Sequence, residues 1–350
     1  MNTRRTVAAL LLLTSLAACG DDGADDGGTD TADAASTEQE IPAVAETPEA
    51  PEPWPSPAQP RITEAFQMKK EPNYVYAVEF APDGTQFASG DASGNVKLWD
   101  TSGTEVGSLE GHEDAAVNDL AYSPDGTKLA TASDDGTARV FDLDTGESVV
   151  LEGAEDAVRS VSWTPDGQSV ATASWDEVGT RVYSADGTLV EELKSDGSVE
   201  TVGFSPDGST LVVGGSNGFL ETWSTADWSR GDSVQGKGAS PNEFVFSADG
   251  TTMYVPTNES TVQVWTVEGL TKGETLGDYL NYVRGVALSP DGALLASGAL
   301  NGAVRIHRTD GYEVVLDETN YGGVNDVAFS PSEPLLVTTD GEGITGYTVE

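Results

Sequence analysis

Short runs of alternating apolar and polar residues recur along the chain at a fixed spacing. One unit reads Val117-Asn118-Asp119-Leu120-Ala121-Tyr122, a turn at Ser123-Pro124-Asp125-Gly126, then Lys128-Leu129-Ala130-Thr131-Ala132-Ser133. A tight turn at Asp134-Asp135-Gly136 leads to Thr137-Ala138-Arg139-Val140-Phe141-Asp142, and Asp144-Thr145-Gly146 leads to Ser148-Val149-Val150-Leu151. Period-two runs of this length, punctuated by Gly, Asp and Pro, predict four antiparallel strands. The turn reads Ser-Pro-Asp-Gly at 123, 205 and 289, Ala-Pro-Asp-Gly at 81, Thr-Pro-Asp-Gly at 164 and Ser-Ala-Asp-Gly at 247, with a degraded copy, Ser330-Pro331-Ser332-Glu333, at 330. Proline presets φ at the first corner, Asp bonds its own backbone, and Gly supplies positive φ on entry to the next strand.

Four strands in about 41 residues is the signature of one propeller blade. Seven copies predict an all-β, seven-bladed β-propeller over residues 61–350. The last unit, ending at Ile344–Val349, lacks a fourth strand, while Ile62–Met68 is a strand with no unit before it. A ring left open would keep two blade faces wet, so these termini are expected to pair within one blade. The units resemble WD40 repeats: they end in Leu98-Trp99-Asp100, Val140-Phe141-Asp142, Val182-Tyr183-Ser184, Thr222-Trp223-Ser224, Val264-Trp265-Thr266 and Ile306-His307-Arg308, and Gly111-His112 matches the glycine–histidine signature once. The resemblance implies a disc used as a binding platform, usually without catalysis.

It also implies roles for particular residues. His112, with Thr131 or Ser133 and Asp135, matches the buried hydrogen-bond network of the family, with Phe141 where Trp would stand. The tight-turn residues Ser93, Asp135, Asp176, Asn217, Glu259, Asn301 and Asp340 cap backbone, so His112, Asp135 and Asp176 are read as structural, and His307 as a packed histidine. Absence of the network from the other blades suggests greater reliance on apolar packing between blades. On such discs the upper face is lined by an early inner-strand residue, here Tyr76, Asn118, Arg159, Glu200, Asn242, Arg284 and Asn325. A second set precedes the tight-turn position: Ala92, Asp134, Trp175, Ser216, Asn258, Leu300 and Asp340. Arg159, Trp175 and Arg284 stand out, because Trp and Arg dominate interface energetics.

Upstream of the repeats the pattern changes. Arg4 and Arg5 precede an apolar run, Val7–Leu13, too short to span a bilayer. Leu16-Ala17-Ala18-Cys19 resembles a bacterial lipoprotein cleavage box, which would make Cys19, the only cysteine, the lipidated first residue; an ordinary signal peptide cut near Ala18 is the alternative. Residues 1–19 are thus an expected leader, and the protein is expected in the cell envelope, held by lipid on the outer side of the cell membrane or in an outer membrane. Residues 20–60 hold eleven acidic residues among Gly, Ala, Thr and Pro, without apolar periodicity, and read as a disordered acidic, proline-rich tether. Trp54 within it either packs on the edge of the propeller or serves as a short partner motif.

Charge and chemistry narrow the function classes. The net charge is −42, from 59 acidic and 17 basic residues. With the leader and tether set aside, residues 61–350 still carry 48 acidic against 15 basic residues. That sign opposes nucleic-acid binding, which needs cations for the phosphates. Two histidines 195 positions apart and one cysteine argue against zinc or thiol chemistry. Asp142–Glu147 lacks the ligands of a calcium loop. No nucleophile elbow, phosphate loop or dinucleotide fingerprint occurs. No cofactor or metal is expected. The reading is a monomeric, non-enzymatic protein-interaction scaffold with protein partners and membrane attachment only through lipid. The alternative is a hydrolase- or lyase-type propeller, or a small-ligand binder, with a channel site near Glu200, Asp134 and Arg284.

Overall fold

The computed structural model describes residues 54–69, 74–112, 114–236, 238–319, 322–341 and 343–350. The expected leader, Cys19 and residues 20–53 lie outside the described residues. Each period of the sequence becomes one four-stranded antiparallel sheet, and among the described residues there are seven. In the second blade the strands are Val117–Tyr122, Lys128–Ser133, Ala138–Asp142 and Ser148–Leu151, innermost to outermost.

The repeated turn forms for the reasons its residues suggest. Gly126 N–H donates to the Ser123 carbonyl at 2.8 Å, with φ of 70° at Gly126. The Asp125 carboxylate accepts from Ser123 Oγ at 2.6 Å and from Thr127 N at 3.0 Å, and Lys128 N donates to Ser123 Oγ at 2.9 Å. Ser123, Asp125 and Gly126 each make a bond that closes the turn, and each copy places a strand reversal on the lower face of the disc.

Ring closure occurs where the unit arithmetic requires it. Ile62–Lys69 is the outermost strand of the seventh blade and pairs antiparallel with Gly343–Val349, from Ile62 opposite Val349 to Lys69 opposite Gly343. Arg61 and Glu350 exchange backbone hydrogen bonds at 2.8 and 2.9 Å, so the ends of the propeller meet at one end of this ladder. Phe66 stacks at 6.2 Å on the fully buried Phe87 of the first blade, and Phe87 in turn contacts Phe80 and Trp99. The closing strand thus seals the seam between the last and first blades.

The inner-strand aromatics Phe80, Tyr122, Trp163, Phe204 and Phe329 are buried between blades. Ala88, Leu109, Val117, Tyr122, Leu129 and Phe141, for example, form one core across blades one and two. The fifth blade departs from the others. Its inner strand is cut to Val245–Phe246: Pro241 still bridges Thr257, but the facing strand carries Pro256, which has no N–H to donate across to it. Trp54 adopts the packed alternative: it is buried against the sixth and seventh blades, and its Nε1 donates to the Ser330 carbonyl at 3.0 Å.

The expected greater reliance on apolar packing between blades needs qualifying, because other buried polar groups stand in for the histidine network. In the second blade His112 joins Asp135 through Nδ1 at 2.8 Å and Thr131 through Nε2 at 2.7 Å, as the family resemblance implies. Burial lowers the His112 pKa despite Asp135, which favours the neutral ring. Other blades carry different buried polar networks. Arg181 pairs with Asp176 at 2.7 Å and reaches Ser174 Oγ at 3.2 Å. Burial works to raise the Asp176 pKa, but the Gly179 and Glu155 N–H groups and Arg181 outweigh it and bring it down to about 2. In the fourth blade the fully buried Glu221 takes hydrogen bonds from Ser195 Oγ and, at 3.1 Å, Trp223 Nε1, and pairs with Arg230. In the sixth, Arg305 lies 4.4 Å from the Tyr279 ring and pairs with Asp317 at 3.1 Å.

Candidate functional site

The heads of the inner strands meet at one mouth of the central channel. Tyr76, Asn118, Arg159, Glu200, Asn242, Arg284 and Asn325, all named from the sequence, line one cavity there. Its volume is only about 70 Å3, so a partner can enter it with a side chain and not with a folded domain. The members differ in what they do. Asn118, Asn242 and Asn325 each donate Nδ2 to the carbonyl that opens the next blade's inner strand, at Val158 (3.0 Å), Val283 (2.7 Å) and Val75 (2.9 Å). They hold neighbouring blades in register, with their amide oxygens left to accept.

A connected rim crosses blades two to four. Asp134 accepts from Asn118 Nδ2 at 2.7 Å and from Arg159 at 3.1 Å. The Arg159 guanidinium sits 4.8 Å from the Trp175 ring, and Trp175 Nε1 donates to Glu200 at 2.9 Å. Trp175 remains 41% exposed, so one face of its ring is held by the protein and the other is open. Arg284 is different: no carboxylate of the described residues forms an ion pair with it, and burial, with Arg159 nearby, lowers its pKa. Of the second predicted set none lines the cavity itself, and only Asp134 and Trp175 join this network, through Asn118, Arg159 and Glu200.

Sequence reasoning missed the layer beneath. Asp119, Glu243 and Asp326 line the mouth one residue below the upper-face set, and Glu79 lines the channel deeper down. Each carboxylate accepts a backbone N–H from the following blade: Glu79 from Tyr122, Asp119 from Val161, Glu243 from Val286 and Asp326 from Val78. Strict alternation would have turned Asp119 and Asp326 away from the channel beside their neighbours. A register shift after Val117 and after Val324 changes which way the strand head faces. The recurring pairs Asn118-Asp119, Asn242-Glu243 and Asn325-Asp326 were the available signal. Among the described residues no group of His, Cys, Asp or Glu is arranged to hold a metal ion.

Burial raises the pKa of all four channel carboxylates, Asp119 to about 6 and Asp326 to about 7. Raised acids contribute stability that is fully present below their unfolded value, and lose it as pH rises through the folded value. Turn aspartates have the opposite sign. Hydrogen bonds from Ser205 to Asp207 and from Ser247 to Asp249 lower their pKa, so their contribution is lost as the solution becomes acidic. Thermal stability should therefore peak near about pH 5 and fall toward about pH 8. The double substitution Asp119→Asn and Asp326→Asn keeps oxygen acceptors and should flatten the alkaline limb in melts followed by circular dichroism. A wild-type melting temperature that climbs steadily to pH 8 would contradict this assignment.

A family model described as the IFT122 first beta-propeller matches residues 74–276, more than half of the chain, and a WD domain, G-beta repeat model matches residues 273–308. No curated protein matches the chain. Propellers of the WD40 type typically mediate protein–protein interaction and are generally not enzymes.

Proposed function

The chain belongs to the beta-propeller family described as the IFT122 first beta-propeller, and from that premise we propose that it is a lipid-anchored interaction platform whose upper channel mouth receives a protein partner outside the cytoplasm. The observation that carries this reading is a mouth lined by Arg159 and the unpaired Arg284, with the half-exposed Trp175 stacked on Arg159 at its rim. Aromatic and arginine side chains in a partly desolvated setting are the residues that dominate binding energy. Blades two to four pre-order the Trp175–Arg159 stack, so a partner need not arrange it at its own entropic cost. The enzyme alternative finds less support. Asp134 and Glu200 are engaged by Arg159 and Trp175, and the deeper carboxylates hold backbone N–H groups. Attachment rests on the Leu16–Cys19 box, and the acidic tether lets the disc search the space near its membrane.

Two measurements test this reading. A photocrosslinking residue at position 175 on the upper face should give a discrete adduct in native membranes, and one at position 207 on a lower turn should not. Equal labelling from both positions would place the partner elsewhere. Cys19→Ser should move the protein from the membrane to the soluble fraction, and retention in the membrane would remove the lipid from the account.

A further inference from the structure

The segment ahead of the closing strand is fastened more firmly than a linker requires. Trp54 is 8% exposed and shares a core with Leu294, Ile306 and Leu316 of the sixth blade and with Val324, Phe329 and Leu336 of the seventh. Its ring lies 5.9 Å from Phe329. Two residues later, Ser56 donates twice to Asp291 in the turn of the sixth blade, from the backbone N at 2.7 Å and from Oγ at 2.8 Å. Pro55, Pro57 and the buried Pro60 restrict the backbone between these points and the closing strand.

The degraded seventh turn has an explanation here. In the intact copies the carbonyl of the first turn residue accepts the N–H of the fourth, as Gly292 does to Ser289 at 2.7 Å. In the seventh, Ser332 N and Glu333 N donate to Ser330 Oγ instead, at 3.3 and 3.2 Å. The Ser330 carbonyl accepts from the Trp54 indole. Departure of this turn from the repeat therefore coincides with its use as an anchor for the upstream segment.

The geometry of ring closure gives the fastening a purpose. Arg61 and Glu350 sit side by side at one end of the closing ladder. Tension applied at residue 61 against the disc would load that ladder from its end and open it one pair at a time, the mode in which paired strands resist least. We propose that residues 54–60 are a load-bearing strap: pull arriving from the upstream chain is taken by Trp54 and Ser56 on the lower face of blades six and seven, and does not reach the strand that closes the ring. The same strap fixes the exit of the upstream chain to the lower face, opposite the proposed partner face. The tether reading supplies the source of the load, while the mechanics is tested without it.

The test is force spectroscopy on the full chain produced without export, with one handle on the Cys19 thiol and the other at the C-terminus. Trp54→Ala should make ring opening about tenfold faster at a fixed force, and Ser56→Ala should accelerate it less. With the handle moved to position 61, by Cys19→Ser and Arg61→Cys, the strap is bypassed. The bypassed protein should open at low force, and Trp54→Ala should then change its rate by under about threefold. Trp54→Ala slowing or sparing the Cys19-loaded protein, or speeding both geometries equally, would overturn the proposal; in the second case Trp54 contributes only general stability. Retention of the Cys19→Ser protein in the membrane, which would remove the lipid from the account, leaves this result unaffected.

Discussion

A chain lacking residues 1–69 is expected not to yield a folded monomer. That deletion removes the outer strand Ile62–Lys69, and with it the pairing of Gly343–Val349 on one side. It uncovers Phe87, whose face is covered by Phe66, and the sixth–seventh blade core that Trp54 completes. Loss of the buried Trp54 side chain costs about 3–5 kcal/mol, and loss of the half-buried Phe66 somewhat less. Two such losses are comparable with the whole margin of about 5–15 kcal/mol that holds a domain folded. The outward edge of Gly343–Val349 is also left unpaired, to recruit strands from other copies. Size-exclusion chromatography with light scattering should show aggregates or exchanged oligomers. A truncated monomer melting within a few degrees of the full chain would show that the ring does not depend on its closing strand.

The second large effect is expected at Glu221. Its carboxylate is fully buried in the fourth blade between Ser195, Trp223 and Arg230. Glu221→Ala strands the Trp223 indole N–H and leaves Arg230 with only the exposed Asp196. Arg230 reaches solvent, so the cost falls on the two buried donors left without an acceptor, the Trp223 indole N–H and the Ser195 hydroxyl, together about 3–5 kcal/mol. For a domain of this size that is a fall of about 6–15 °C in melting temperature. Glu221→Gln keeps one acceptor and should lose clearly less. Replacing Glu105, an exposed partner of Lys97, should shift the melt by under about 2 °C. Equal melting of Glu221→Ala and wild type would mean that the network adds nothing to the fold.

Glu221 also shows where sequence reading stopped. The blade count, the turns, the ring closure and the inner-strand aromatics were legible because each follows from a local rule repeated at a constant spacing. The upper-face set was legible as well, since Tyr76, Asn118, Arg159, Glu200, Asn242, Arg284 and Asn325 do meet at one mouth. Substitute networks were not, because they use different residue types in each blade. Lys97, Arg139, Arg181, Glu221, Gln263 and Arg305 nevertheless share one position, two residues before the aromatic or histidine that stands next to last in the third strand. Side chains two apart lie on the same face of a strand, so a long polar residue there reaches the position that His and Asp serve in the second blade. The channel carboxylates were hidden by the register shift at the strand heads, which no propensity or alternation rule marks. Trp228, Leu270 and Tyr312 hold positive φ in the turns after the third strands of blades four to six, whereas Gly103, Gly146 and Gly187 serve blades one to three. Their rings and side chains pack into the blade cores, which offsets the backbone strain.

The central claim is that the upper mouth is the binding surface, and one comparison tests it most directly. Full-length protein and the triple variant Arg159→Ala, Trp175→Ala and Arg284→Ala are each used to capture partners from crosslinked native membranes, and the affinity of the captured partner is then measured with purified components. Each of the three side chains should be worth more than about 1 kcal/mol, so the variant should bind at least about a hundredfold more weakly while its melting curve stays close to that of the wild type. A folded variant that captures the same partner with unchanged affinity would contradict the account.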